Sequence, residues 1–363
     1  MLRSRIFSKT LKLLDRKPFM TFQRYSSTCK KLLFEEFGDP LKVLKLKEET
    51  LPSIKEDEVF VRFLIAPVNP ADINLIQGVY PIKSQLPAVG GIEGVGEIIE
   101  AGSKVPNLKP GDYVVPDADN FGAWRTCGVF KYNLLYKVPN NVNPIQIGAI
   151  LSNPSTAYRM LKDFVLLKSG DVVIQNGANS ACGQNVIQLC RINNFISINI
   201  IRDRPDIEQL KSYLFTLGAD YVLTEEELRK TEIFKLKEIP KPKLALNCVG
   251  GRNATEISRL LADNGIMVTY GGMSREPVTI PTSAFIFKNI SFRGYWMTKW
   301  TSNNRQSPER RKMIEELASY MSSGKLKAPE HKLIPLENYS EAIMKTSSVQ
   351  GYTGYKYLFD LTK

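Results

Sequence analysis

Beyond Pro154 the chain alternates short apolar runs with amphipathic ones, and that rhythm restricts the fold more than any other feature. Residues 171–175 (DVVIQ) read as a buried strand, 183–192 as a helix with Val186, Ile187, Leu189 and Cys190 turned inward, and 197–201 as the next strand. The pattern continues with a helix at 206–217, strands at 221–224 and 244–249, a helix at 254–263, and strands at 266–270 and 290–297. Strands joined in this way by helices predict an α/β unit built on a doubly wound parallel sheet.

The preceding stretch has a different grammar. Runs at 31–37, 59–65, 94–100, 113–116 and 134–138 are β-like and are separated by Gly, Pro and Asn, including a PGD turn at 110–112. After the parallel sheet come a helix at 308–322, a strand at 332–336, a helix at 339–346 and a strand at 356–361, a tail expected to return to the β-rich domain. The expected division is 29–152 with 299–363 as a β-rich catalytic domain and 153–298 as a nucleotide-binding domain.

Composition narrows the class. With 363 residues, 43% hydrophobic and 24% charged, the chain can bury a large core, which excludes wholesale disorder, collagen and a coiled-coil rod. No apolar run approaches the roughly 18 to 20 residues of a spanning helix, so membrane insertion is not expected. The net charge is +12, and half of it sits in residues 1–28, where Arg3, Arg5, Lys9, Lys12, Arg16, Lys17 and Arg24 face Asp15 alone. Interspersed with Leu2, Ile6, Phe7, Leu11, Leu13 and Leu14, these cations read as a mitochondrial presequence cut near Arg24, with a basic tail as the alternative. With the charge so placed, nucleic acid is not an expected partner.

Five well-separated cysteines without a CxxC pair indicate neither a disulfide framework nor a zinc knuckle, in keeping with a reducing compartment such as the mitochondrial matrix. The clearest chemical signal is the junction VVIQ-NGANSACG. A turn of small residues between strand and helix lets backbone amides approach a pyrophosphate, and a helix N-terminus favours its charge. Read backward from Gly183, the GxGxxG pattern has Ser180 and Ala178 at its other glycine places. Nineteen residues after Gly183, where an NAD-preferring fold has an acidic residue, stand Arg202, Asp203 and Arg204. Two guanidinium groups suit a 2'-phosphate, so the expected cofactor is NADPH.

Gly90 to Val115, GGIEGVGEIIEAGSKVPNLKPGDYVV, resembles the Gly-His-Glu segment and Gly-Asp-x-Val turn of the medium-chain dehydrogenase/reductase superfamily. That likeness implies a GroES-like β-rich catalytic domain beside a Rossmann nucleotide-binding domain. Zinc alcohol dehydrogenases of the superfamily bind metal through a Cys and a His, and the corresponding places here are Asn69 and Ile92. Isoleucine binds no metal and the chain has a single histidine, His331, so no metal site is expected. Asn69 is instead expected to help position substrate or nicotinamide.

Within the superfamily the segments NPADINLIQGVYPIKSQLPAVGGIEG, DNFGAWRT, LSNPSTAYRML, RDRPD, ALNCVGG, VTYGGM and RGYWM resemble, in order, the mitochondrial trans-2-enoyl thioester reductases. The resemblance implies NADPH-dependent reduction of an enoyl thioester of acyl carrier protein or coenzyme A in mitochondrial fatty acid synthesis, by a homodimer. It implies Tyr80 as proton donor to Cα, a role that suits phenols, whose solution pKa of about 10 keeps them protonated near neutrality. It implies cofactor contacts from Asn153, from Asn179, Ser180, Ala181 and Cys182, and from Arg202, Asp203 and Arg204. It extends them to Tyr270, Gly271, Gly272 and Met273, to Tyr295, Trp296 and Met297 on the sixth strand, and to Lys356.

Phe121, Trp124, Trp296 and Trp300 are candidates for an acyl slot or for ordinary core. Lys299, Arg305, Arg310, Arg311 and Lys312 are candidates for a surface that meets coenzyme A phosphates or an acidic carrier, or for a solvated helix face. The rival functions are a zinc-free quinone or 2-alkenal reductase, and a non-enzymatic nucleic-acid or receptor-binding protein on the same fold.

Overall fold

The computed structural model describes residues 28–234, 239–347 and 355–363. The expected presequence therefore lies outside the described residues, apart from Thr28. In the second half, six parallel strands form one sheet in the order Tyr221–Thr224, Ile196–Ile201, Val172–Asn176, Leu244–Asn247, Ile266–Thr269, Ser291–Gly294. The chain reverses its direction of travel across the sheet between Val172–Asn176 and Leu244–Asn247, and a crevice opens beyond the carboxyl ends of strands at such a point. Both central strands are buried along their whole length, because helices cover both faces.

Helix Ala181–Ile192 follows the first of these strands; the Ser180 hydroxyl caps it by accepting from the Gly183 N–H at 3.1 Å. The crevice is braced by a satisfied amide network. Asn176 Nδ2 donates to Asn247 Oδ1 at 2.8 Å and to Asn253 Oδ1 at 2.7 Å, while its Oδ1 accepts from the Cys248 N–H at 2.7 Å. Such a network holds the two strand ends at a fixed separation.

The β-rich half is built on a seven-stranded sheet. Its main path runs His331–Pro335, Lys356–Asp360, Glu58–Pro67, Val95–Ala101, Tyr113–Pro116, Leu135–Val138, with Cys127–Lys131 pairing beside the first part of Glu58–Pro67. The tail strands thus complete the sheet begun by the first 140 residues, and Lys356–Asp360 pairs antiparallel with the end of Glu58–Pro67. A smaller sheet joins Lys45–Thr50, Thr28–Phe34 and Ala88–Val89. Ile65 and Val95 of the large sheet, Val186 and Leu189 of the nucleotide-side helix, and Met313 and Leu317 of helix Pro308–Ser322 share one buried core. The two halves are therefore packed against each other, with the crevice between them. Among the described residues no helix is long and apolar enough to cross a membrane.

One expected element is corrected. The run 290–297 is not a strand throughout: pairing ends at Gly294, and helix Met297–Asn303 begins three residues on. The aromatic residues give this stretch β character, but the neighbouring strand Ile266–Thr269 ends at Thr269, whose carbonyl accepts from the Tyr295 N–H at 2.9 Å. Tyr295 and Trp296 therefore lie on a connecting corner and Met297 at the start of a helix.

Candidate active site

A cleft of about 520 Å³ lies between the halves at the switch in strand order. On its nucleotide side, Gly177 takes a positive φ of 62°, and Asn179, Ser180, Ala181 and Cys182 line the wall where the helix begins. The residue with glycine-like backbone geometry is thus Gly177, one position before the Ala178 that the motif reading aligned. Gly183 serves packing, since a Cβ there would stand 2.6 Å from the Ala178 carbonyl oxygen. Gly272 lines the cleft and a Cβ on it would meet nothing within 4 Å, so the wall there is bare backbone open to a ligand.

Tyr270, Gly271 and Met273 line the same wall. The Tyr270 phenol is buried beside the Cys182 and Cys248 thiols; burial pushes Tyr270 and Cys182 upward, and Cys248 up to about 11. These groups stay neutral, as buried thiols do. All five cysteines are free and buried.

Arg202 and Arg204, just past strand Ile196–Ile201, line one end of the cleft. Asp203, between them, is exposed and does not line it; its carboxylate accepts from the Arg204 N–H at 2.8 Å and so shapes the loop. Bare backbone at the turn, a helix N-terminus of a 12-residue helix and two arginines at the second strand end fit a dinucleotide phosphate.

The opposite end of the cleft holds Tyr80. It follows helix Pro70–Ile76, its N–H donating to the Asn74 carbonyl at 3.1 Å. The Trp296 indole N–H donates to the Tyr80 hydroxyl at 2.7 Å, and Thr298 Oγ1 lies 3.2 Å from the same oxygen. The two rings meet edge to face, with centroids 5.7 Å apart. Tyr295, Trp296 and Met297 all line the cleft, as does Thr298, which sequence reasoning did not single out.

Beneath this end lies a polar knot. Asn69 Nδ2 donates to Glu93 Oε1 at 2.8 Å, and its Oδ1 accepts from the Lys356 ammonium and from Asn153 Nδ2 at 3.3 Å. The second Glu93 oxygen accepts from the Ser152 N–H at 2.9 Å. Asp72 accepts from the N–H groups of Asn69 and Ile92, each at 2.8 Å. Burial pushes Glu93 up to about 7 and Asp72 up to about 6, against the pull of the nearby Lys356 charge, and burial lowers Lys356.

Asn69, Ile92, Asn153 and Lys356 all line the cleft. An amide, an aliphatic chain and an ammonium form a poor donor set for a cation. Among the described residues no group of three or more His, Cys, Asp or Glu is placed to hold a metal ion. Glu93 and Asp72 were missed as site residues, although a carboxylate set among glycines and aliphatics (GGIEGVG) is a visible signal.

Other candidates fall elsewhere. Trp124 is fully buried, donates to the Pro67 carbonyl at 3.0 Å and packs on Phe359; Phe121 stacks on Phe130. Trp300 lies under the Arg159 guanidinium. These three are packing residues, leaving Trp296 alone of the four in the cleft. The basic run is also corrected. Arg310 is 1% exposed and bonds Asp117 at 2.8 Å, and Arg305 pairs with Asp119 at 2.9 Å, so neither belongs to a free cationic surface. An acidic pair far earlier in the chain, Asp117 and Asp119, neutralises them.

A GroES-like β-rich domain and a Rossmann sheet that share a dinucleotide cleft define a medium-chain dehydrogenase/reductase. Residues 55–140 match the alcohol dehydrogenase GroES-like domain and residues 181–319 the zinc-binding dehydrogenase family. The chain is 48% identical over 320 residues to the mitochondrial enoyl-[acyl-carrier-protein] reductase of Mus musculus, covering 87% of this chain and 85% of that protein. It superposes on the Etr1p/NADP/crotonyl-CoA complex with a TM-score of 0.85 at 36% identity, covering 92% of this chain and 100% of that one. The mitochondrial 2-enoyl thioester reductase Etr1p/Etr2p heterodimer from Candida tropicalis matches with a TM-score of 0.84 at 36% identity, over the same shares. The chain belongs to the mitochondrial enoyl-[acyl-carrier-protein] reductase family.

Proposed function

We propose that this protein is a mitochondrial matrix enzyme that reduces trans-2-enoyl thioesters of acyl carrier protein or coenzyme A to saturated acyl thioesters, using NADPH. The observation that carries the reading is that the Tyr80 hydroxyl opens on the same cleft as the dinucleotide turn. Family membership and the likeness to a complex with NADP and crotonyl-CoA support it.

Arg202 and Arg204 would hold the 2'-phosphate, with Asp203 keeping their loop in shape. The turn from Asn179 to Cys182 would hold the pyrophosphate, and Tyr270 to Met273, Tyr295 to Met297, Asn153 and Lys356 would enclose the nicotinamide half. Bound there, the reduced nicotinamide supplies the hydride that adds to Cβ of the substrate. Tyr80 protonates Cα: its O–H bond breaks as the Cα–H bond forms, and the phenolate regains a proton from solvent. The catalytic domain comprises residues 29–152 and 299–363, the nucleotide domain 153–298, and the enzyme acts as a homodimer, a reading supported by the dimeric Candida relative.

The test is NADPH oxidation with trans-2-hexenoyl-CoA set beside quinones and free 2-alkenals. The expected result is a kcat/KM highest for the thioester; a preference for quinone would replace this reading with its nearest rival.

A further inference from the structure

We propose that Cys29 and Cys127 are an oxidative modification site: hydrogen peroxide converts this thiol pair into a reversible disulfide that ties the first strand of the β-rich domain to strand Cys127–Lys131.

The backbone brings the pair together. Strand Thr28–Phe34 runs antiparallel to the segment before Cys127, with Lys31 opposite Arg125. The Leu32 N–H donates to the Trp124 carbonyl at 3.0 Å and the Thr126 N–H to the Lys30 carbonyl at 2.9 Å. Carried two residues on, the same register sets Cys29 against Cys127, on the same face as Lys31 and Arg125. Opposed residues of an antiparallel pair have Cα atoms about 4.5–5.5 Å apart, a span that a disulfide accepts. The side chains follow the register: the Cys29 thiol donates to the Cys127 carbonyl at 2.6 Å, and the Cys127 sulfur lies 3.9 Å from the Thr28 carbonyl oxygen.

The two thiols are chemically unlike. Hydrogen bonding from Cys127 to the Cys29 sulfur outweighs burial and, with the Arg125 charge, lowers Cys29 from 9.0 to about 6. Glu49, which works against this, is paired with Lys31 at 2.5 Å. Arg125 is held in place, its Nε donating to the Gly122 carbonyl at 2.7 Å and its guanidinium over the Phe130 ring. The contact with Cys29, together with burial, pushes Cys127 up. Cys29 is therefore the nucleophilic thiolate and Cys127 the protonated partner beside it. The cleft thiols differ, since burial raises both Cys182 and Cys248. Cys29 and Cys127 are buried, but Thr28 is exposed, so local opening at the strand end admits a small neutral oxidant.

The Cys29 thiolate attacks one peroxide oxygen: the S–O bond forms, the O–O bond breaks, and the hydroxide released takes a proton and leaves as water. The Cys127 sulfur then attacks the sulfenic sulfur; the S–S bond forms, the S–O bond breaks, and the hydroxyl leaves as water with the Cys127 proton. The two thiols lose two electrons, and the peroxide is reduced to water. Small thiols reverse the step by exchange, as suits a transient disulfide in a reducing compartment. The bond joins residues 98 apart in sequence and so restricts the unfolded chain. The two segments also clamp Gly90, whose N–H donates to the Leu32 carbonyl at 3.0 Å and whose carbonyl accepts from the Trp124 N–H at 2.9 Å. Gly90 leads directly to Ile92 on the cleft wall, so the disulfide secures the backbone behind the cleft.

For the test, the full chain is treated with hydrogen peroxide, unfolded in the presence of N-ethylmaleimide and digested without reductant. The expected product is a pair of peptides joined through Cys29 and Cys127, which dithiothreitol separates. The thermal midpoint of the oxidised protein should lie above that of the reduced one. Cys127→Ser should give no joined peptide and no gain in midpoint, with Cys29 captured by dimedone as its sulfenic acid. Cys29→Ser should leave Cys127 open to the maleimide.

Maleimide on both Cys29 and Cys127 of the treated wild type would overturn the proposal, as would a link between Cys182 and Cys248 in its place. The wild-type peptide map needs no substitution, so it decides the question even where a serine variant fails to fold.

Discussion

The Lys356 ammonium donates to the Asn69 side-chain carbonyl, and the carboxylates of Glu93 and Asp72 lie buried around that contact. The cluster joins a strand from the tail to the start of helix Pro70–Ile76 and to the Ser152–Asn153 corner, three segments far apart in sequence. It therefore pins the base of the cleft with charge that the protein must keep out of water. Removing one member leaves the others buried without compensation.

Titration of this cluster shows in stability. Glu93 rises from an ordinary 4.5 to about 7 and Asp72 from 3.8 to about 6, so each binds its proton more tightly in the folded protein than in the unfolded chain. Their contribution is complete below the unfolded values and is lost as pH rises through about 6 to 7. Urea unfolding across pH 4.5 to 7.5 (about three units, spanning the Glu93 shift) should show Glu93→Gln gaining stability relative to wild type as pH rises. A pH-independent difference would contradict the assignment.

The two arginines should discriminate cofactors. On the proposed reading, Arg202→Ala and Arg204→Ala should each remove a charge-assisted contact to the 2'-phosphate, worth about 1.5–3 kcal/mol, or about ten- to a hundredfold in NADPH affinity. NADH, which lacks that phosphate, should bind all three proteins alike. Equal losses for both dinucleotides, measured by fluorescence titration, would show that the arginines merely support the loop.

Arg310 should matter for folding and little for substrate. Its guanidinium is buried against the Asp117 carboxylate and over the Tyr136 ring. Arg310→Met leaves Asp117 with only the partly exposed Arg305 and should cost about 3–5 kcal/mol. Adding Asp117→Asn should recover part of that loss in denaturant unfolding. A single variant as stable as wild type would contradict the burial of this pair.

These residues also mark how far sequence carries the reader. The parallel sheet was legible because VVIQ, SINII, LALN and IMVT are apolar runs set between amphipathic helices, a pattern that long-range packing only reinforces. Strand Lys45–Thr50 (KLKEET) was not legible, since it is a mostly exposed edge whose charges carry no apolar alternation. The helix at Met297–Asn303 was hidden by aromatic residues with strand propensity. Arg310 looked solvated because its partner Asp117 lies 193 positions earlier, and no local spacing reports such a pair. The knot around Asn69 was obscured in the same way: its members come together only when the tail strand joins the sheet.

The most direct measurement compares Tyr80→Phe with the wild-type enzyme in NADPH oxidation by trans-2-hexenoyl-CoA, with NADPH affinity measured separately. Loss of a general acid should lower kcat about 10²- to 10⁴-fold. NADPH affinity should remain near the wild-type value, because the phenol sits at the far end of the cleft from Arg202 and Arg204. Undiminished turnover in Tyr80→Phe would contradict the account.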